Sequence, residues 1–159
     1  MQVLIKNKVF SLRGNSTITD LQGNPVANVQ GRVFSITNKK YINDMQGNTR
    51  YLVRNKFFHF FMKSAFIYDA DGNLVCQVKR KLALHSKFEF LRIDKNWELS
   101  GNIIGWNFSL LENGAAIAQI SRQFHWNDAF LLDTGNQDPF LMMAIVIAID
   151  NITDREANS

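Results

Sequence analysis

Asp138-Pro139-Phe140-Leu141-Met142-Met143-Ala144-Ile145-Val146-Ile147-Ala148-Ile149-Asp150-Asn151 is the stretch that decides the fold. Aspartate followed by proline is a helix start, because the carboxylate caps exposed N–H groups and proline is preset for the first helical position. Apolar residues then run unbroken from Phe140 to Ile149, and Asp150 and Asn151 end the run. Ile145-Val146-Ile147 would also suit a core strand, but the length and the Asp-Pro start predict a helix. A helix with no polar face is buried either in protein or in a membrane. About twelve residues at 1.5 Å each reach roughly 18 Å, short of a bilayer core of about 30 Å. The acid at each end and the lack of a basic flank also argue against a span. The segment is therefore predicted to lie in the core of a soluble domain. Its burial contributes a gross ~15–30 kcal/mol, an upper bound.

What surrounds the helix is written in a repeat. Asp20, Asp44 and Asp69 each stand three residues before Gly23, Gly47 and Gly72, and Asn24, Asn48 and Asn73 follow those glycines. Leu111-Glu112-Asn113-Gly114 is a degenerate fourth copy. Aspartate at a turn entrance accepts backbone N–H bonds, and glycine supplies the positive φ that ends a type I turn with a bulge. Asp69-Ala70-Asp71-Gly72-Asn73 also resembles a calcium loop, but it lacks the EF-hand spacing and the closing glutamate. Six residues after each glycine stands Val29, Val53, Val78 or Ile120, and ten after stands Val33, Phe57, Leu82 or Phe124. Gly-punctuated units of this kind build a β-meander. Strands are expected to start near Val3, Thr17, Val26, Lys40, Tyr51, Ala65, Leu74, Phe88, Trp97, Trp106, Ala116 and Ala129. In an all-β chain only the sheet itself, closed around the helix, can enclose it. No linker interrupts the pattern, so residues 1–159 are expected to form a single domain.

The composition is that of a globular protein, with 46% hydrophobic and 20% charged residues. Cys76 is the only cysteine. This excludes an internal disulfide and favours a reducing compartment, the cytoplasm. The N-terminus carries no apolar run of a signal peptide, so the sequons at Asn15, Asn107 and Asn151 read as chance. A net charge of +4 and a pI near 9.3 mildly favour acidic partners.

The ordered Asp-x-x-Gly-Asn hairpins, each followed by a Val-x-x-Lys/Arg-apolar strand, resemble the LURP-one-related family. So do Ala118-Gln119-Ile120-Ser121-Arg122 before an aromatic strand and the C-terminal helix ending Ile147-Ala148-Ile149-Asp150-Asn151. The resemblance covers nearly the whole chain. It implies the tubby C-terminal-like fold, a closed twelve-stranded antiparallel β-barrel around a central hydrophobic C-terminal α-helix. The same superfamily holds tubby domains, which bind phosphoinositides, and phospholipid scramblases. This chain departs from the scramblases in lacking their palmitoylated cysteine cluster, and no lipid-binding residue of tubby carries over position by position.

The residues point to binding rather than to catalysis. No nucleophile elbow, phosphate-binding glycine loop or zinc-protease helix occurs. His59, His85 and His125 lack ligand spacing, and Cys76 reads as a small buried hydrophobe. No cofactor or metal is implied. Seven and nine residues after a repeat glycine, side chains share one strand face. Those positions hold Arg54 with Lys56 and Lys79 with Lys81, and Arg50, Lys39 and Lys40 extend the set. If the strands come close, the cations form an outer patch for anionic lipid headgroups or phosphate-bearing ligands, at a membrane surface without a transmembrane span. The plain alternative is a solvated basic face. The other copies carry Gln30 with Arg32 and Ser121 with Gln123, so the charge is uneven. A nucleic-acid module would use Phe57, Phe58, Phe60 and Phe61 beside Lys56 as stacking groups, though contiguous Phe in an all-β chain is more often core. A protein-interaction scaffold is the remaining reading. Alternation also puts Arg80 and Arg122 on the inward face of Val78 and Ile120. A bulge or a position at the barrel rim would resolve that conflict.

Overall fold

The computed structural model describes residues 1–10, 15–31, 37–55, 64–81, 87–123 and 129–157. Twelve strands precede one helix: β1 (Gln2–Lys6), β2 (Asn15–Asp20), β3 (Pro25–Gly31), β4 (Lys40–Asn43), β5 (Thr49–Asn55), β6 (Ser64–Asp69), β7 (Leu74–Lys81), β8 (Lys87–Leu91), β9 (Trp97–Asn102), β10 (Asn107–Glu112), β11 (Ala115–Gln123), β12 (Ala129–Asp133) and α1 (Pro139–Ala157). No strand starts more than two residues from its expected position. A 3-10 turn, Asn7–Phe10, follows β1.

The strands form one antiparallel sheet in the order β8-β7-β6-β5-β4-β3-β2-β1-β12-β11-β10-β9. The meander turns back on itself because β1 pairs with β12, Val3 opposite Leu132 and Ile5 opposite Phe130. The barrel is nearly closed. β8 and β9, the two ends of the order, lie side by side without a hydrogen-bonded ladder, and Phe90 meets Trp97 edge to face at 5.7 Å.

The repeat is a set of hairpin turns. In the third copy Asp69 Oδ1 accepts the N–H groups of Asp71 and Asn73 at 3.0 and 2.8 Å, and Oδ2 accepts Asn73 Nδ2 at 3.1 Å. Gly72 takes φ +85°. With its oxygens occupied in this way, the Asp69 carboxylate acts as a turn cap. Asp20 and Asp44 repeat the same bonds. The fourth turn is of another kind. Asn113 and Gly114 both take positive φ, which makes a two-residue loop whose twist matches its strands.

These turns and the start of α1 define one end of the barrel, the hairpin end. The opposite end holds the last residues of β1, β3, β5, β7 and β11 and the end of α1. Asp138 caps the helix as expected: Oδ1 accepts Phe140 N–H at 2.9 Å, and Oδ2 accepts the Tyr51 hydroxyl at 2.7 Å. Burial, and then that bond, raise the Tyr51 phenol above its usual pKa. From Met142 to Ile152 no helix residue is more than 4% exposed. The helix leans on β5, β6 and β7. On its other side an apolar cavity of about 20 Å³ lies between Met142, Ile145 and Val146 and the walls formed by Leu99, Phe108, Ala118 and Leu132. Its lining is almost wholly apolar and offers a polar ligand no partner. Among the described residues no helix is long and apolar enough to cross a membrane.

Two expectations need correction. The helix does not stop at Asp150 and Asn151 but runs on to Ala157. Both residues are buried mid-helix, where β4, β5 and the segment before β4 supply polar partners. Asn151 Oδ1 accepts Asn38 Nδ2 at 3.0 Å, its Nδ2 donates to the Asn38 main-chain carbonyl at 3.4 Å, and its own carbonyl accepts Asn55 Nδ2 at 3.2 Å. The second correction is Lys40, expected on the outer surface. It is 1% exposed and faces the interior on the same side of β4 as Ile42. Its ammonium donates to the Phe10 carbonyl at 2.9 Å and lies 3.9 Å from Asp150 Oδ2. Arg122 is exposed near the end of β11, whereas Arg80, next to last in β7, is half-buried with its Nη1 shielded from solvent. β7 and β11 carry no register shift where they pass these positions, so no bulge turns them outward.

Ala144 is fully buried on α1, so Ala144→Lys would place an unpaired charge in the core. It should abolish cooperative unfolding, since the cost of several kcal/mol approaches the whole stability of a small domain. A normal thermal transition for this variant would refute the enclosed helix. For the interior pair, Lys40→Met alone should lower stability by about 3 kcal/mol or more. Adding Asp150→Leu should recover most of the loss, because no lone charge then remains buried. Urea unfolding of the three proteins measures both effects.

Candidate functional site

The outer face of β5, β6 and β7 carries the cations that the repeat singled out. Alternation points Val53 and Asn55 of β5 inward and leaves Arg54 exposed. In β6, Ala65 and Ile67 point inward, so Ser64, Phe66 and Tyr68 face out. In β7, Cys76 and Val78 point inward, so Gln77, Lys79 and Lys81 face out. The register sets Arg54 opposite Phe66, Phe66 opposite Gln77, and Ser64 opposite Lys79.

Arg54 and Lys79 thus share a face but not adjacent strands. With β6 between them and Lys79 two residues farther along, their backbones stand roughly 12 Å apart. Phe66 and Tyr68, both half-buried, form an aromatic strip along β6; Phe66 stands level with Arg54, and Tyr68 lies farther toward the hairpin end, away from Lys79. Arg54 is held by that strip: Nη2 donates to the Tyr68 hydroxyl at 2.9 Å, and the guanidinium carbon lies 4.7 Å over the Tyr68 ring. A guanidinium stacked this way is fixed in orientation, while its remaining donors stay turned to solvent.

Of the other expected cations, Lys81 faces outward but is paired with Glu89 of β8. Lys56 lies outside the described residues. Arg50 belongs to the opposite, hairpin end, where its guanidinium lies 4.7 Å over the Phe140 ring. Lys39 is half-buried beside β4, and Lys40 is the interior residue described above. The structure therefore leaves Arg54, Lys79 and Lys81 on one outer face and separates Arg50 and Lys40 from them. Tyr68 and Glu89, which tune two of these cations, did not emerge from the repeat. The signal for them was alternation within β6 and β8, combined with the order of neighbouring strands.

Other candidates offer less chemistry. Cys76 is fully buried, and burial pushes its thiol up to about 12, far from a reactive thiolate. His59, His85 and His125, and Phe57, Phe58, Phe60 and Phe61, lie outside the described residues, as does Arg32. Gln123 donates to the Ser121 hydroxyl at 3.0 Å, a neutral pair. Among the described residues no three His, Cys, Asp or Glu side chains converge as a metal site requires.

Comparison with known proteins follows the architecture. The model of the LURP-one-related family matches residues 1–150. The crystal structure of an Arabidopsis thaliana protein superimposes with a TM-score of 0.67 at 18% identity, over 99% of this chain and 91% of that one. At such identity the likeness shows the fold alone. No curated protein matches the chain.

Proposed function

This chain belongs to the LURP-one-related family, and on that premise we propose that it is a non-catalytic barrel that binds phosphate-bearing anions on the outer face of β5, β6 and β7. The observation that carries the reading is Arg54, exposed on its strand yet held by the ring and hydroxyl of Tyr68. A free arginine loses rotamer entropy when it clamps a phosphate, and an arginine already fixed loses less. Guanidinium donors suit phosphate oxygens through paired, charge-assisted bonds. Lys79 adds a second cation on the same outer face, across β6 from Arg54. Lys81 contributes less, because Glu89 already neutralises it. In this reading the protein works in the cytoplasm, at the periphery of an anionic membrane or on a soluble phosphate-bearing ligand.

Co-sedimentation with phosphatidylserine-containing and with pure phosphatidylcholine vesicles tests the proposal. Binding to the anionic vesicles only is expected. Arg54→Ala with Lys79→Ala should weaken it about thirty-fold, at about 1 kcal/mol per cation near such a surface. Lys81→Ala should have a smaller effect. Displacement by inositol hexakisphosphate would point to a soluble ligand, and persistence in its presence to the lipid surface. Equal pelleting with both vesicle types, or no effect of the double substitution, would sink the reading.

A further inference from the structure

The strand register sorts charge between the two ends of the barrel. At the hairpin end stand Asp20, Asp44, Asp69, Asp71, Glu112 and Asp133. Two cations there are engaged locally: Lys95 pairs with Glu112 at 3.0 Å, and Arg50 stacks on Phe140. Arg92 is a third. At the opposite end stand Lys6, Lys79, Lys81, Lys87 and Arg122, on β1, β7, β8 and β11; Arg54 of β5 stands near them, its guanidinium turned back over Tyr68. Glu89, half-buried and paired with Lys81, stands among them.

This basic set is a ring and not a stripe. β5 and β11 stand six places apart in a twelve-strand order, so Arg54 and Arg122 lie across the barrel from each other. The acidic and basic ends are separated by the strand length, about 20 Å for six residues. That exceeds two Debye lengths of about 8 Å, so neither end cancels the other's field in physiological salt. A planar anionic surface attracts one end of such a body and repels the other, which orients it. A nucleic-acid strand instead calls for a basic groove that tracks its backbone.

Resting on the anion-binding reading above, we infer that the barrel docks end-on against an anionic phospholipid bilayer. The rim carrying Lys6, Arg54, Lys79, Lys87 and Arg122 meets the headgroups, and the acidic hairpin tips point away. The face around Arg54 is then one sector of a larger docking rim.

The experiment changes cations far from Arg54. Lys6→Glu with Arg122→Glu, both exposed positions on the β1–β11 side, should weaken binding to phosphatidylserine vesicles at least about thirty-fold, at roughly five-fold per cation. Lys87→Glu alone should weaken it about five-fold or more. Asp71→Lys at the hairpin end should leave it unchanged. Circular dichroism melting of each variant separates lost binding from lost fold. If Lys6→Glu with Arg122→Glu bound normally while Arg54→Ala with Lys79→Ala did not, the barrel would dock on its side. End-on docking would then be wrong and the Arg54 face right. The reverse pattern would keep the end-on geometry and remove the Arg54 face as its main contact. Retention of duplex DNA with no vesicle binding would overturn the inference outright.

Discussion

A helix without a polar face needs apolar neighbours in every direction, and the rest of the molecule follows from that need. Open sheets cover one side of a helix. Only a sheet that curves back on itself covers all sides, and here the return is made by β1 pairing with β12. Side-chain size then decides where the helix sits inside. The walls it leans on, β5 to β7, are lined by Val53, Ala65, Ile67, Cys76 and Val78. The walls formed by β9, β10 and β12 carry Trp97, Phe108 and Phe130. Small groups let α1 approach on one side, and bulky rings fill the wider space on the other. The cavity beside Met142 is what that filling leaves.

Apolar packing alone would let the helix slide along its axis, because one aliphatic turn resembles the next. The polar residues at its far end remove that freedom. Lys40, Asn55 and Asn38 meet Asp150 and Asn151 at one depth only, and a shift of one turn would leave several buried polar groups without partners. At the near end Asp138 and Tyr51 set the same register. The interior pair is therefore better read as specifying position than as adding stability, since buried ion pairs seldom exceed what apolar residues of equal volume would give.

The strands and turns were legible because both are local. Aspartate three residues before glycine makes the same turn wherever it stands, and the hairpins follow from it. The inward Lys40 was legible too. It stands two residues before Ile42 on the same strand, so alternation gives it the core face, yet its charge suggested the surface. The end of the helix misled for a related reason: Asp-Asn stops a helix that is entering water, but here Lys40 of β4 faces the Asp150 side chain and Asn38, just before β4, receives that of Asn151. The outward direction of Arg54 and Lys79 followed from spacing after each glycine. The grip of Tyr68 on Arg54 and of Glu89 on Lys81 depended on pairing across strands, which spacing along one strand does not contain.

The partition of charge has a competing explanation in the buried helix itself. The N-terminus of α1 lies at the acidic end and its C-terminus at the basic end, the arrangement a helix dipole favours. Magnitude and range decide between the two. The dipole acts within the first and last turns and contributes at most about 1–2 kcal/mol there. It accounts for Asp138 at the start of α1. It does not reach Arg54, Lys79 or Lys87, which stand on the outer surface of strands with the barrel wall between them and the helix. Outer cations are also not needed to neutralise Asp150, because Lys40 faces it from inside. The separation of charge between the two ends therefore follows from the strands' own residues and not from the dipole of the helix they enclose.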